Sequence, residues 1–159
     1  MSSQSGHKTA PPLLVFTYGN PSRGDDAIGP EFARRLEDRC FALIDDKKLE
    51  VQTDFQLQIE HVLDLVGRRK VFFVDASAPG SAPFSLTKVH PARDVSFTSH
   101  QLSPAALLHT WDEVVRGPRP DCWVVAIEGE EFELGVPLSD AAEANLTAAL
   151  AAVEKMLTG

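Results

Sequence analysis

Leu13 to Arg39 reads LLVFTYGNPSRGDDAIGPEFARRLEDR. Its first seven residues form an apolar run of strand length without polar alternation, the pattern of a parallel strand buried on both faces. A loop with two adjacent acids follows. Ile28, Phe32 and Leu36 then recur at i, i+4 and i+8, which predicts a helix over about Ala27 to Arg39. A strand that passes through a short loop into a helix is the opening of a βαβ unit.

The same alternation continues along the chain. LEVQTDF (Leu49 to Phe55) is a second strand candidate, and Leu57 to Val66 a second helix closed by Gly67. KVFFVDA (Lys70 to Ala76) is the clearest strand. FSLTKVHP, near Phe84 to Pro91, alternates and ends in proline, as an antiparallel edge strand does. Ser103-Pro104 supplies an N-cap and a first-turn proline for a helix to about Arg116. DCWVVAIEG (Asp121 to Gly129) is the fifth strand, and Ser139 caps a last helix rich in Ala and Leu that runs to Leu157. The expected fold is therefore α/β: a single-domain three-layer sandwich with about five strands, mostly parallel and twisted, and helices on both faces. Residues 1–11, rich in Ser, Gly and Pro, read as a disordered lead-in, and 12–159 as the domain.

A length of 159 residues suits one domain with a real core. The formal net charge of -8 argues against nucleic acid or an anionic membrane as partner. No apolar stretch approaches the ~20 residues that span a bilayer, and the N-terminus lacks the blocks of a secretory signal. A cytoplasmic location is expected. Cys40 and Cys122 have no CxxC spacing, so neither a disulfide framework nor a cysteine metal site is indicated.

Asp26, Asp75 and His100 each lie where a strand hands over to a loop or helix. Ligands of open parallel sheets bind beyond the carboxyl ends of the strands, near a topological switch point. Two carboxylates and an imidazole converging there would suit a divalent ion of the zinc, nickel or iron type. Plainer readings stand beside each. Asp25 would cap the helix while Asp26 fills its first turn. Asp75 would bond to loop N–H groups, and His100 would be a satisfied surface or core histidine. His61, His90 and His109 carry that plain reading more strongly, and His7 belongs to the lead-in. GNPSRGDD lacks the GK[ST] ending of a phosphate loop, and its paired acids would repel phosphate. No GxSxG elbow or cysteine nucleophile signature occurs.

Taken together, YGNPSRGDDAIG, the strand VFFVDA, the histidine of TSHQLSP and the closing pattern VVAIEGEEFELGVPLS resemble the hydrogenase maturation proteases. These endopeptidases process the large subunit of nickel–iron hydrogenases, and the likeness runs from about Leu13 to Leu157. It implies that Asp26, Asp75 and His100 bind the metal, with aspartate at 26 where the family often has glutamate. It places the family's further acid, after the second strand, on Asp54. Asp54 and Gln56 then fall in the segment thought to select the substrate. The catalytic group is left open among Asp26, Asp75, His100 and Asp54. The chain departs from the family at DFQLQIEH, where many members have a glycine- and threonine-rich loop; QL-rich segments are similar to proteases of soluble, cofactor-reducing hydrogenases.

The implied reaction removes a C-terminal extension from a large-subunit precursor that already holds nickel. The nickel arrives with the precursor and acts as the recognition signal; another divalent ion could replace it in vitro. The implied partner is that precursor, and the protease is expected to be a monomer. The alternative is a non-proteolytic metal-sensing chaperone or binding module on the same fold. A small-molecule metallohydrolase has no specific residue signature here.

Overall fold

The computed structural model describes residues 10–78, 80, 83–93 and 102–159. In chain order the elements are β1 (Leu13–Tyr18), a 3₁₀ turn (Gly24–Ala27), α1 (Ile28–Arg39), α2 (Phe41–Asp45) and β2 (Leu49–Asp54). A 3₁₀ helix (Ile59–Leu65), β3 (Lys70–Ser77), β4 (Phe84–Lys88), α3 (Pro104–Val114), β5 (Asp121–Glu128) and α4 (Asp140–Thr158) complete the chain. The five strands form one sheet in the order β2-β1-β3-β5-β4. β1 runs parallel to β2 and β3, β3 runs parallel to β5, and β4 alone is antiparallel, at the edge.

Side-chain alternation along the strands builds two cores, because successive residues face opposite sides of a sheet. Leu13, Val15, Phe72 and Val74 pack with Ile28, Phe32 and Leu36 of α1 and with Leu146, Leu150 and Val153 of α4. Leu14, Phe16, Tyr18, Val71 and Phe73 pack with Val62 and Leu65 and with Leu107, Leu108 and Trp111 of α3. The expected three-layer sandwich is the fold observed. Ser103 caps α3 through Ala106 N at 3.0 Å, and Ser139 caps α4 through Ala142 N at 3.1 Å.

Two local readings need correction. Leu57 to Val66 is not an α-helix but a seven-residue 3₁₀ helix, Ile59–Leu65. Its buried positions, Val62 and Leu65, are three apart, while Val66 is 48% exposed. A three-residue turn aligns the first two; a 3.6-residue turn would have drawn Val66 toward the core as well. The short helix α2 was not anticipated, and none of its residues is buried. Of the expected lead-in, residues 1–9 lie outside the described residues, and the Pro11 carbonyl accepts from Arg68 Nη1 at 2.9 Å. Among the described residues, no helix is long and apolar enough to cross a membrane.

Candidate functional site

From β1 the chain leaves to β2 on one side, and β3 returns on the other, so the sheet's switch point lies between the carboxyl ends of β1 and β3. Asp26 and Asp75 both lie there. Asp26 belongs to the 3₁₀ turn after β1, and its Oδ2 accepts from the Asn20 backbone N–H at 2.7 Å. Gly19 lets this loop fold tightly over the strand end: its φ is +150°, and a Cβ there would collide with the Asp26 carbonyl.

Asp75 lies near the carboxyl end of β3, within the strand expected over Lys70 to Ala76, and pairs with Ala126 of β5. The β1 ladder stops at Thr17–Val74, so Asp75 is the first β3 residue past it. By alternation it shares the face of Val71, Phe73 and Tyr18. Burial pushes its carboxyl up to about 7, the negative charge of Asp26 adds to the rise, and the Ala76 N–H opposes it. Burial also raises the Tyr18 phenol well above its ordinary range, with the Asp75 charge adding to it. Two acids held this close leave a local excess of negative charge that a cation, or a proton on Asp75, relieves.

His100, with neighbouring Gln101, lies outside the described residues. Among the described residues, no group of three or more His, Cys, Asp or Glu side chains could hold a metal ion.

Neither acid of the pair caps the helix that follows. The residue before the 3₁₀ turn is Arg23, the residue before α1 is Ala27, and neither terminus has a side-chain cap. Asp25 is instead fully buried and fastens a distant loop. Its Oδ2 accepts from Glu130 N at 2.7 Å, Glu131 N at 3.0 Å and Ser139 Oγ at 2.7 Å, and its Oδ1 from Ser139 N at 2.7 Å. Burial would raise its pKa, but the bonds from Ser139, Glu130 and Glu131 outweigh it and hold the carboxyl below its usual value. Asp25 thus fastens the Glu130–Ser139 loop beside the two acids.

Asp54 is the last residue of β2 and, with Gly19, Pro21, Pro30, Thr53 and Phe55, lines a cleft of about 230 Å³. Its Oδ1 accepts from Phe55 N at 2.7 Å, and its Oδ2 lies 3.2 Å from His61 Nε2. His61 Nδ1 in turn accepts from Gln58 N at 2.8 Å. The imidazole stands edge-on to Phe16, with ring centres 4.6 Å apart. Gln56 follows, half-buried. His61 is thus the satisfied histidine of its plain reading, with both ring nitrogens bonded, and the Gln58–His61 spacing of a capping box fixes the imidazole beside Asp54.

Solved structures with the same arrangement of elements carry hydrogenase-processing names. One is a [NiFe] hydrogenase maturation protease, HycI, from Thermococcus kodakarensis KOD1, with a TM-score of 0.69, 19% identity, and coverage of 98% of this chain and 96% of that one. The hydrogenase maturating endopeptidase HybD from E. coli gives a TM-score of 0.67 at 22% identity, covering 92% and 91%. A hydrogenase 2 maturation peptidase from Thaumarchaeota archaeon SCGC_AB-539-E09 gives 0.61 at 21% identity, covering 91% and 97%. At such identities the likeness establishes a shared α/β fold over nearly the whole chain. No protein-family model and no curated protein matches the sequence.

Proposed function

We propose that this chain is an endopeptidase that removes the C-terminal extension from the nickel-loaded large-subunit precursor of a nickel–iron hydrogenase. The observation that carries the reading is the pairing of Asp26 with Asp75 at the switch point of this fold, close enough for the charge of one to raise the pKa of the other. Solved proteins sharing the fold and named for this activity support it.

In this reading nickel belongs to the substrate. Asp26, Asp75 and His100 would meet it as the precursor docks, two hard oxygens and an imidazole nitrogen being suitable donors for a divalent ion. Asp26 is oriented by Asn20 N–H, which leaves its other oxygen free of that bond. Asp75, buried and next to a second acid, is costly to ionise alone and gains most from a neighbouring cation. Asp54 and Gln56, beside the cleft, would contact the polypeptide rather than the ion.

The test is incubation of the purified protein with a nickel-loaded large-subunit precursor, followed by mass spectrometry of the products. Release of a C-terminal peptide is expected. A folded protein that releases none overturns the reading, and stable capture of the precursor without cleavage would favour a binding module.

A further inference from the structure

His61 is built into the chain as a fixed donor. Its Nδ1 accepts the Gln58 amide proton at 2.8 Å, so the ring proton sits on Nε2, which faces Asp54 Oδ2 at 3.2 Å. Phe16 holds the ring edge-on from the core side, at 66° between planes. The imidazole is therefore oriented by three independent contacts. Its side chain is only 14% exposed, whereas that of Asp54 is 45% exposed. One partner is anchored in the core and the other faces outward.

Each oxygen of Asp54 already accepts one hydrogen bond, Oδ1 from Phe55 N and Oδ2 from His61. A carboxylate has about four acceptor positions, so each oxygen keeps capacity for another donor. The surrounding cleft is walled by Gly19, Pro21, Pro30 and Phe55, and Phe55 is 68% exposed. A slot with apolar walls and one oriented carboxylate fits a side chain with an aliphatic stem and a cationic head. None of these contacts involves Asp26 or Asp75.

We propose that Asp54 and His61 act as one unit that receives a lysine or arginine side chain of the partner, with His61 as the positioning residue that holds the carboxylate in place. This deepens the endopeptidase reading, since the partner there is the precursor polypeptide, but the pair can be tested without it. Without the Nε2 donor, Asp54 would keep only the Phe55 N–H bond, and its carboxylate would be less firmly oriented in the slot.

The experiment titrates the isotopically labelled full-length protein with N-acetyl-arginine methylamide, and separately with the neutral N-acetyl-norleucine methylamide, following backbone resonances by NMR. The cationic probe should shift the Thr53, Asp54 and Phe55 amides, and the neutral one should not. His61→Leu should weaken the cationic probe roughly ten-fold, as loss of a hydrogen bond to a charged group implies. His61→Gln, which can still present an N–H to Asp54, should restore most of the affinity. In precursor processing, His61→Leu should raise KM with kcat little changed. Equal shifts with both probes, or unaltered binding by a folded His61→Leu variant, overturns the proposal. If His61→Leu fails to fold, the comparison of Asp54→Asn with His61→Gln decides: the first should lose the cationic probe and the second keep it, and any other result is against the pair. Probe binding by a protein that processes no precursor would sink the endopeptidase reading and leave this site standing.

Discussion

Asp26 and Asp75 reach the same end of the sheet from opposite sides of its switch point, and the charge of Asp26 adds to burial in pushing the Asp75 carboxyl up to about 7. A carboxyl whose folded pKa exceeds its unfolded one binds its proton more tightly in the native state. Its ionisation therefore costs stability as pH rises from the unfolded pKa, ~3.9, through the folded value. Asp75→Asn removes the titrating group. It should leave stability nearly unchanged at pH 4 and raise it at pH 8, by at most roughly 4 kcal/mol from the size of the shift. Urea unfolding of both proteins at the two pH values is the check; a variant less stable than wild type at pH 8 would contradict it.

Asp25 has the opposite sign. Its folded pKa lies below the unfolded value, so its contribution is present above ~3.9 and is lost as pH falls through the folded pKa. Asp25→Ala leaves the Glu130, Glu131 and Ser139 amides without their acceptor, and should cost at least about 1–3 kcal/mol at neutral pH, the penalty for a buried donor left unsatisfied. Asp25→Asn should also destabilise and should flatten the acid limb of the stability curve. Chemical denaturation between pH 2 and 7 measures both.

Gly129 should resist substitution for a related reason. A Cβ at that position would lie 2.7 Å from the Asp25 Cβ and 2.9 Å from Phe132 Cζ. Gly129→Ala forces these groups apart, and overpacking of this kind costs about 1–3 kcal/mol. A thermal melt that matches wild type would show that the loop yields without strain.

Asp26→Asn separates a metal-facing acid from a loop-forming one. Asparagine keeps a carbonyl oxygen that can accept the Asn20 N–H, so the loop and the stability should survive, within about ±0.5 kcal/mol. Precursor processing should fall sharply, because the neutral amide contributes no charge toward a divalent ion. Wild-type processing by the folded variant would return Asp26 to a structural role.

The sheet was legible in the sequence because four of its strands are parallel. Runs such as LLVFTY and KVFFV are apolar on both faces, and the helix periods of Ile28, Phe32 and Leu36 are unbroken. That Asp26 and Asp75 fall at the same end of the sheet was legible, because each follows an apolar parallel strand run. The role of Asp25 was not, because its partners are 105 to 114 residues away and local spacing suggested a cap. The Asp54–His61 contact was hidden by the expectation of an α-helix over Leu57 to Val66. A 3₁₀ helix, Ile59–Leu65, follows Asp54 instead, with the His61 ring bonded to the amide of Gln58 just before it and to Asp54 at the strand end. The short helix α2 has five residues and only Leu43 and Ile44 partly buried, too short a stretch to show an apolar period.

Free nickel should bind the isolated protein weakly. Among the described residues, no three ligating side chains are gathered around one point, and Asp75 holds a proton over part of the neutral range. An incoming ion must displace that proton, so affinity should rise with pH through about 7 and then level off. The proposed site adds at most His100 to the two carboxylates and offers no thiolate, which leaves most of the coordination to whatever the precursor carries. Calorimetry with nickel at pH 6 and pH 8 should therefore show low affinity at both, with proton release at the lower value. Asp75→Asn should abolish both the heat and its pH dependence. Tight binding in the absence of precursor, or affinity indifferent to pH, would show that the ion is held elsewhere or that the protein carries a complete site of its own.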